Sequence, residues 1–278
     1  MMSAPLKRRR RDAEAVSPFM VAMLGLCLAL LFIPLVIIIL LSFNASPYGT
    51  FPFEGTLKWY VALFTTSNLL GPTLLSLEIS ALVALNAALF GTMAAVWLDR
   101  RASRLGGGVF RIGLLSALTV PWLILGLAML LVMNAIGLGR SLVSIYLGLL
   151  ATTLPYVVFI VSARLQSLDR DLDHAARSLG ASPLTSFLRI SAPLLLPSIV
   201  SGTLIAFIVS FNNFLIQYFL APFGVQTLPL KIYTLIRVGY LPDLNALATI
   251  IVLVTCLLIV VLHRLGLRMA GLPGGAMP

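Results

Sequence analysis

The segment Asp173–Pro193, DHAARSLGASPLTSFLRISAP, decides how this chain is organised, because it is a mixed, charge-bearing stretch between two strongly apolar blocks. Its small residues Ala175, Ala176 and Gly180 are not needed for crossing a membrane. We interpret the segment as a cytoplasmic loop on which another protein docks. The rest of the sequence decides what that other protein is.

The composition indicates an integral membrane protein. Of the 278 residues, 60% are hydrophobic and 10% are charged, whereas a soluble domain carries about 25% charged residues. Long apolar runs, rather than segments of strict alternation, favour an all-α membrane fold over a barrel. Cys27 and Cys256 lie inside apolar runs, so we expect them to be buried small hydrophobic side chains rather than parts of a disulfide or a metal site.

Six apolar runs are each long enough for a helix of about 20 residues that crosses the hydrocarbon layer. They cover residues 18–41, 72–98, 110–136, 141–163, 194–219 and 244–265. The sequence therefore predicts six transmembrane helices within a membrane domain of residues 18–268. A basic tail, 1–17, precedes this domain, and a second cytoplasmic tail, 269–278, follows it.

Local signals add detail to these runs. Pro34 predicts a kink in the first span. The segment LKWYVALF in the loop 42–71 predicts a short interfacial helix, with Trp59 and Tyr60 as anchors. The small residues Gly91–Ala94–Ala95 and Gly113–Ser116–Ala117 suit close helix packing in lipid.

Basic residues predict the orientation. If the N-terminus is cytoplasmic, six spans return the C-terminus to the cytoplasm. Of the 19 Lys and Arg residues, Lys58, Arg140, Lys231 and Arg237 then lie outside and all the others lie inside. This asymmetry follows the positive-inside rule. It accounts for the net charge of +10 without a nucleic-acid partner.

The sequence offers no catalytic machinery. The ATP-binding pattern G-x-x-x-x-G-K-[ST] is absent. The two histidines, His174 and His263, are expected at the cytoplasmic face and solvated, which makes a poor metal site. We therefore predict no cofactor on this chain and no enzymatic activity, so energy for transport must come from a partner or an ion gradient.

The docking segment itself predicts two short helices with a bend. Gly180 suits the position just past a helix end. Ser182 can cap a second helix that has Pro183 at its first position. On spacing alone, an ordinary cytoplasmic loop between two spans remains the alternative.

The pattern HAARSLGAS…RISAP resembles the cytoplasmic coupling motif of ABC-importer permeases, Glu-Ala-Ala…Gly…Ile-x-Leu-Pro. His174 stands where that motif has Glu, and Ala192 stands where it has Leu. The resemblance implies that the loop 164–193 couples to an ATPase. The residues implied are Asp173, His174, Ala175, Ala176, Gly180, Ile190 and Pro193.

Further segments are similar to the permeases of spermidine/putrescine-type importers, namely LKWY, TLPYVVFIVSARL and LPLKIYTLIRVGYLPDLNALATI. This resemblance implies a bacterial inner-membrane location. It also implies two ATPase subunits that hold ATP and magnesium, a second and different permease, and an extracytoplasmic binding protein received by the loop 221–243. The expected substrate is a polyamine or a related small organic solute.

Candidate substrate-path residues are fewer. The segment SFNNFLIQYFLAP has Asn212 and Asn213 where polyamine permeases carry an acidic pair, and Gln217 follows one turn later. Polar side chains in a span favour a translocation path, although helix–helix hydrogen bonds are the alternative. Glu78 is the one carboxylate in a predicted span. It either contacts a cationic substrate or is a packing or vestibule residue.

Two other function classes remain open. A self-sufficient secondary transporter or channel needs ionisable groups within the membrane for ion coupling, and Glu78 alone offers one. A non-transporting membrane scaffold agrees with the scarcity of charges but leaves the docking motif unexplained. Copurification of an ATPase with the chain would distinguish an ABC-importer permease from these two classes.

Overall fold

The computed structural model describes residues 18–46, 50, 52–100, 104–169, 171–238 and 242–270. The predicted tail 1–17 and most of the predicted tail 269–278 lie outside these residues, and so does Arg170. Within them the chain is helical apart from its loops and one isolated antiparallel bridge between Asn44 and Gly55. The all-α prediction is confirmed.

The helices follow one another along the chain, and a single π-helical turn, Phe187–Ser191, joins α8 to α9. They are α1 (Pro18–Ser42), α2 (Lys58–Thr65), α3 (Leu70–Arg100), α4 (Arg104–Thr119), α5 (Trp122–Ala135), α6 (Leu142–Ser167), α7 (Asp171–Ser178), α8 (Pro183–Ser186), α9 (Ala192–Asn212), α10 (Phe214–Leu220), α11 (Leu228–Val238) and α12 (Pro242–Ala270).

Four helical segments in the described residues are long and apolar enough to cross a membrane: Phe19–Ser42, Leu70–Arg100, Leu142–Ser167 and Pro183–Asn212. A bent pair of helices, α4 with α5, brings the number to as many as five. In α12 the apolar stretch Pro242–Leu257 is shorter. The sixth span and the orientation of the termini stay predictions.

The third predicted span is not one straight helix. The chain bends by 113° between the helical segments Gly107–Thr119 and Trp122–Ala135. Pro121 lies between them with φ −56° and ψ 134°. Proline has no N–H to continue the helix and disfavours helical geometry in the residue before it, so the continuous helix expected over 110–136 was wrong.

The fifth predicted span is also broken. Asn213 separates α9 from α10 with φ −76° and ψ 96°. Its side-chain Oδ1 accepts a hydrogen bond of 2.9 Å from the Ile216 N–H, which caps α10 and offers the backbone an alternative to continuing α9. A single helix over 194–219 was therefore a wrong expectation.

Residues 68–239 form one compact unit, in which α3, α6 and α9 pack around the buried Val157. A Cβ added at Gly91 would lie 2.8 Å from Val157, and one at Gly202 would lie 3.3 Å from it. The predicted packing role is confirmed at Gly91 and at Ala95, which is buried. It was wrong at Gly113, whose added Cβ meets no atom within 4 Å.

The second unit consists of residues up to 67 together with residues from 240 onward. The predicted helix at 58–65 is present as α2. It contacts the chain after α1, because the Trp59 Nε1 donates to the Asn44 carbonyl at 2.7 Å and the Tyr60 and Ser42 hydroxyls lie 2.8 Å apart.

The two cysteines correct another expectation. Cys27 on α1 and Cys256 on α12 are exposed rather than buried. An apolar helix surface needs no protein cover where lipid surrounds it, so a small apolar side chain inside a span is not thereby buried. Pro34 lies inside α1, which runs unbroken from Pro18 to Ser42, and the predicted kink remains a prediction.

Candidate functional site

The segment Asp173–Pro193 forms two short helices with a bend, as predicted. We call residues 171–193 the α7–α8 segment. Gly180 has φ +86° and follows α7, with its N–H donating to the Arg177 carbonyl at 2.9 Å and the Ala181 N–H donating to the Ala176 carbonyl at 3.0 Å. This pair of bonds is the Schellman motif, which satisfies the last carbonyls of a helix and favours glycine.

The second helix starts as expected. The Ser182 Oγ accepts a hydrogen bond of 3.2 Å from the Thr185 N–H, and Pro183 occupies the first turn of α8. Both features are local N-terminal signals that satisfy or remove unpaired N–H groups. A glycine stop followed by a serine start therefore produces the bend between α7 and α8.

Asp173 joins the two short helices. Its carboxylate accepts a short hydrogen bond from the Ser186 hydroxyl and forms ion pairs with Arg177 at 3.0 Å and with Arg100 at 3.6 Å. Ser186 is buried and lies on α8, whereas Arg177 lies one turn along α7. The carboxylate of Asp173 thus links α7 to α8 through Ser186 and to α3 through Arg100.

These contacts lower the pKa of Asp173 from its ordinary value of 3.8. The Ser186 hydrogen bond is the largest cause, the charges of Arg100 and Arg177 act in the same direction, and partial burial opposes them. Because the folded pKa is lowered, the stabilisation is fully present above the ordinary pKa and is lost as the pH falls through the folded value.

Arg100, the last residue of α3, is a site residue that sequence reasoning missed. Besides Asp173, its guanidinium contacts the Ser191 Oγ at 3.1 Å and lies 5.8 Å from the centre of the Phe187 ring. In the sequence Arg100 stands out only as one of several basic residues after a span. No local pattern pairs it with Asp173 or with Ser186.

The outer face of the α7–α8 segment is apolar and uncovered. Leu172 is 45% exposed, and Leu179, which follows it by two turns, is 90% exposed. Ala175 lies between them and is exposed, as is His174, whereas Ala176 is half-buried. Sequence reasoning named the alanines but missed the two leucines, whose i, i+3, i+7 spacing with Ala175 was readable.

The remaining predicted coupling residues lie at the base of the segment. Ile190 belongs to the π-helical turn and is half-buried, and Pro193 lies in the first turn of α9 and is exposed. They are therefore separate from the exposed face around Ala175.

Near the break at Asn213 lies a cavity of about 620 Å³. Both predicted amides, Asn212 and Asn213, line it, together with Trp122 at the start of α5. The other lining residues are Ile208, Val209, Phe214 and Leu215. The structure thus brings Asn212 and Asn213 to one cavity within the compact unit.

Three polar side chains around the α9–α10 break are buried, and two of them, Ser210 and Gln217, are not among the residues that line the cavity. In the part of the chain that the structure describes, the Asn213 Nδ2, the Gln217 Oε1 and the Ser210 Oγ are buried without a partner. The Gln217 Nε2 donates to the Ser210 carbonyl at 3.1 Å. Buried polar groups are normally paired, so these three atoms are candidates for partners that the chain itself does not supply.

Glu78 is not brought to this cavity. It lies on α3, where it is exposed, and it is not among the residues that line the space near Asn213. His263 lies beyond the residues whose side chains the structure describes, so its expected solvation stays a prediction.

Comparison with known proteins gives the family. Residues 87–268 match the model of the binding-protein-dependent transport system inner membrane component. This chain belongs to that family. The match includes the α7–α8 segment and the cavity near Asn213, so both candidate sites lie in the part that the family shares.

Curated relatives cover most of the chain. The putrescine transport system permease protein PotI of Escherichia coli K12 is 35% identical, over 84% of this chain and 86% of its own. The spermidine/putrescine transport system permease protein PotC is 31% identical in Haemophilus influenzae and 32% identical in Escherichia coli K12, each over 84% of this chain. The resemblance to polyamine-type permeases is confirmed.

A solved structure shares the fold. It is a bacterial ABC transporter involved in the import of the acidic polysaccharide alginate, with a TM-score of 0.69 at 17% identity, and it covers 95% of this chain. This likeness shows the ABC-importer permease fold, and the relatives of the chain are transport subunits rather than enzymes.

Proposed function

We propose that this chain is a permease subunit of an ATP-driven importer in a bacterial inner membrane, and that it carries a polyamine or a related small organic solute. The α7–α8 segment is the observation that carries the proposal, because it presents an exposed apolar face on a braced pair of helices. Curated relatives named for putrescine and spermidine transport support the substrate class.

The proposed assembly contains two ATPase subunits, a second and non-identical permease, and an extracytoplasmic binding protein that docks on the loop 221–243. ATP and magnesium belong to the ATPase subunits, and this chain binds neither. When the ATPase subunits close on ATP, they move the α7–α8 segments, and the spans rock to open outward. Hydrolysis then returns the cavity to the cytoplasmic side.

The α7–α8 segment has the properties that a coupling element needs. Leu172, Ala175 and Leu179 offer apolar surface for burial against an ATPase groove, and the small side chains of Ala175 and Ala176 permit close approach. His174, in place of the glutamate of the motif, presents an exposed imidazole beside that face.

The proposed solute path runs past the break at Asn213. A primary ammonium group is a hydrogen-bond donor, and the side-chain oxygen of Asn212, which lines the cavity, is a hydrogen-bond acceptor. Gln217 is buried and is not among the lining residues, so we propose it only as a supporting residue of the path. Asn212 and Asn213 give the cavity neutral amides, so recognition there rests on hydrogen bonds rather than on charge attraction. Glu78, exposed on α3, is proposed as a further contact for a cationic solute, tested by uptake with Glu78→Gln.

The deciding experiment alters the bend between α7 and α8. Gly180→Asp places an L side chain at φ +86°, which strains the Schellman motif. We expect the chain to insert normally while uptake of radiolabelled putrescine and stimulation of the ATPase both fall by about tenfold or more. The measurement uses proteoliposomes that contain the copurified complex and the binding protein.

Gly137→Asp is the matched control. Gly137 also has a positive φ, +79°, and an added Cβ there meets no atom within 4 Å, yet it lies in the loop between α5 and α6. Loss of coupling in Gly180→Asp but not in Gly137→Asp supports the proposal. Full uptake by Gly180→Asp, or solute accumulation by the chain without any ATPase, contradicts it.

A further inference from the structure

We infer that Arg100 is a positioning residue that ties the α7–α8 segment to the end of α3, so that α3 moves together with the segment during transport. The inference rests on the proposed function, because it concerns how motion that enters at the segment reaches the spans. It concerns a residue outside the coupling motif and a helix that the motif does not adjoin.

The first step is the chain connectivity. The α7–α8 segment follows α6 and precedes α9 in the sequence, so both of those helices are joined to it covalently. The third helix of the packed group, α3, ends at Arg100, far earlier in the chain. Any displacement of the segment can therefore reach α3 only through noncovalent contacts.

The second step is the contact itself. The Arg100 guanidinium reaches three parts of the segment at once: Asp173 on α7 at 3.6 Å, the Ser191 Oγ at 3.1 Å and the face of the Phe187 ring. The side chains of Arg100 and Asp173 are 23% and 26% exposed. A guanidinium fork suits such a multiple contact, whereas a lysine ammonium has one point of charge.

The third step is what surrounds the contact. A cavity of about 750 Å³ opens beside it, lined by Trp97 on α3 and by Leu184 and Phe187 of the segment. Arg100 and Arg177 line the same space. Phe187 packs against the apolar cluster that contains Leu98 of α3, and beside this space Arg100 adds a polar contact between the end of α3 and the segment.

The fourth step is where the motion goes. Gly91 lies on α3 about 13 Å from Arg100, at 1.5 Å per residue, and it packs against Val157 of α6. Because α3 is one continuous helix from Leu70 to Arg100, a displacement at Arg100 is transmitted along it to this packed stretch. Through the Arg100 contact, α3 therefore moves with the α7–α8 segment in the same way as α6 and α9, which are joined to it covalently.

The test uses the full-length chain in its complex, with Cys27 and Cys256 changed to Ser. Spin labels at Met93→Cys on α3 and Ser178→Cys on α7, both exposed positions, report the distance between the two helices. We expect a narrow distance distribution that keeps its mean when ATP binds. In Arg100→Gln we expect a distribution about twice as wide, because the Arg100 contact is lost.

The functional readout is the stimulation of ATP hydrolysis by the binding protein. We expect Arg100→Gln to lower it by about tenfold, and Arg100→Lys to give an intermediate loss. Arg111→Gln removes the same charge from an exposed position on α4 and is expected to change neither readout. Arg100→Lys also keeps the test valid if Arg100→Gln fails to assemble.

A double-mutant cycle tests whether Arg100 acts through Asp173. If Arg100 acts through Asp173, then Arg100→Gln combined with Asp173→Asn is no worse than the more severe single variant. Losses that multiply would show that Arg100 does not act through Asp173 and would overturn the inference, as would a wild-type distance distribution in Arg100→Gln. The comparison of the two distance distributions without ATP needs neither transport nor an ATPase, so it stands even if the proposed function fails.

Discussion

At the scale of single residues, the side-chain oxygen and nitrogen of Asn213 have different roles. The Oδ1 caps α10 through the Ile216 N–H, and the buried Nδ2 has no partner among the described residues. An asparagine at a helix break is explained by the cap alone. The unused donor beside a cavity is what the cap does not explain.

Substitutions can separate the two tasks. We expect Asn213→Ser to keep the cap, and therefore the thermal stability of the complex, but to reduce solute uptake, because the amide donor is gone. Asn213→Ala loses the cap as well and costs about 1 kcal/mol of stability. Unfolding followed in detergent, alongside uptake in proteoliposomes, checks both outcomes; normal uptake by Asn213→Ser would restrict this residue to capping.

Residues whose roles are local were predictable, and those with distant partners were not. The positions of Gly180 and Ser182 follow from backbone requirements within a few neighbouring residues, and the structure has both as predicted. Arg100 and Asp173 meet only because α3 ends beside α7. That meeting depends on how the helices pack, which no local pattern in one sequence encodes.

At the scale of helices, apolar runs predicted where helices occur but not where they break. The prediction of one helix over 110–136 took no account of Pro121, and the chain bends by 113° between the helices on either side of it. Asn213 gave a weaker signal, since asparagine inside an apolar run also suits a hydrogen bond between helices. In both places hydrophobicity shows that the segment lies in the membrane. Whether the helix continues or breaks is decided by the backbone hydrogen bonds that Pro121 and Asn213 remove or replace.

The small-residue triplets give a second test at this scale. We expect Gly91→Ala to destabilise the complex by about 1–3 kcal/mol, because the new methyl group meets Val157, which cannot move without disturbing α6 and α9. Gly113→Ala is the matched control, since its Cβ meets nothing within 4 Å, and we expect no loss. Thermal unfolding in one detergent compares the two, and equal effects would contradict the packing described here.

At the scale of the whole molecule, composition was sufficient for the class. A chain that is 60% hydrophobic and 10% charged cannot present an ordinary soluble surface. Helices and closed barrels both pair their backbone groups in lipid, and the long apolar runs favour helices. The number of spans was harder to predict. The bent pair of α4 and α5 counts as one span or none, and the apolar stretch of α12 is short.

Orientation is testable at this scale. The positive-inside rule predicts that the loop near Gly137 is outside and the loop near Ser178 is inside. Reporter fusions after these two residues should therefore show opposite activities, with an alkaline phosphatase reporter active at the first and a green fluorescent reporter active at the second. The reversed pattern would place the α7–α8 segment on the wrong face for an ATPase.

The bare surface of α1 carries a consequence for how the gene tolerates change. None of the most apolar stretch of α1 is buried within the protein. Many exchanges among Leu, Ile, Val, Phe and Met there therefore change only the apolar side chain that contacts the lipid tails. Around Val157, by contrast, two glycines leave no space for a larger neighbour. Random mutagenesis should therefore recover active variants freely at the first helix and rarely at that crossing.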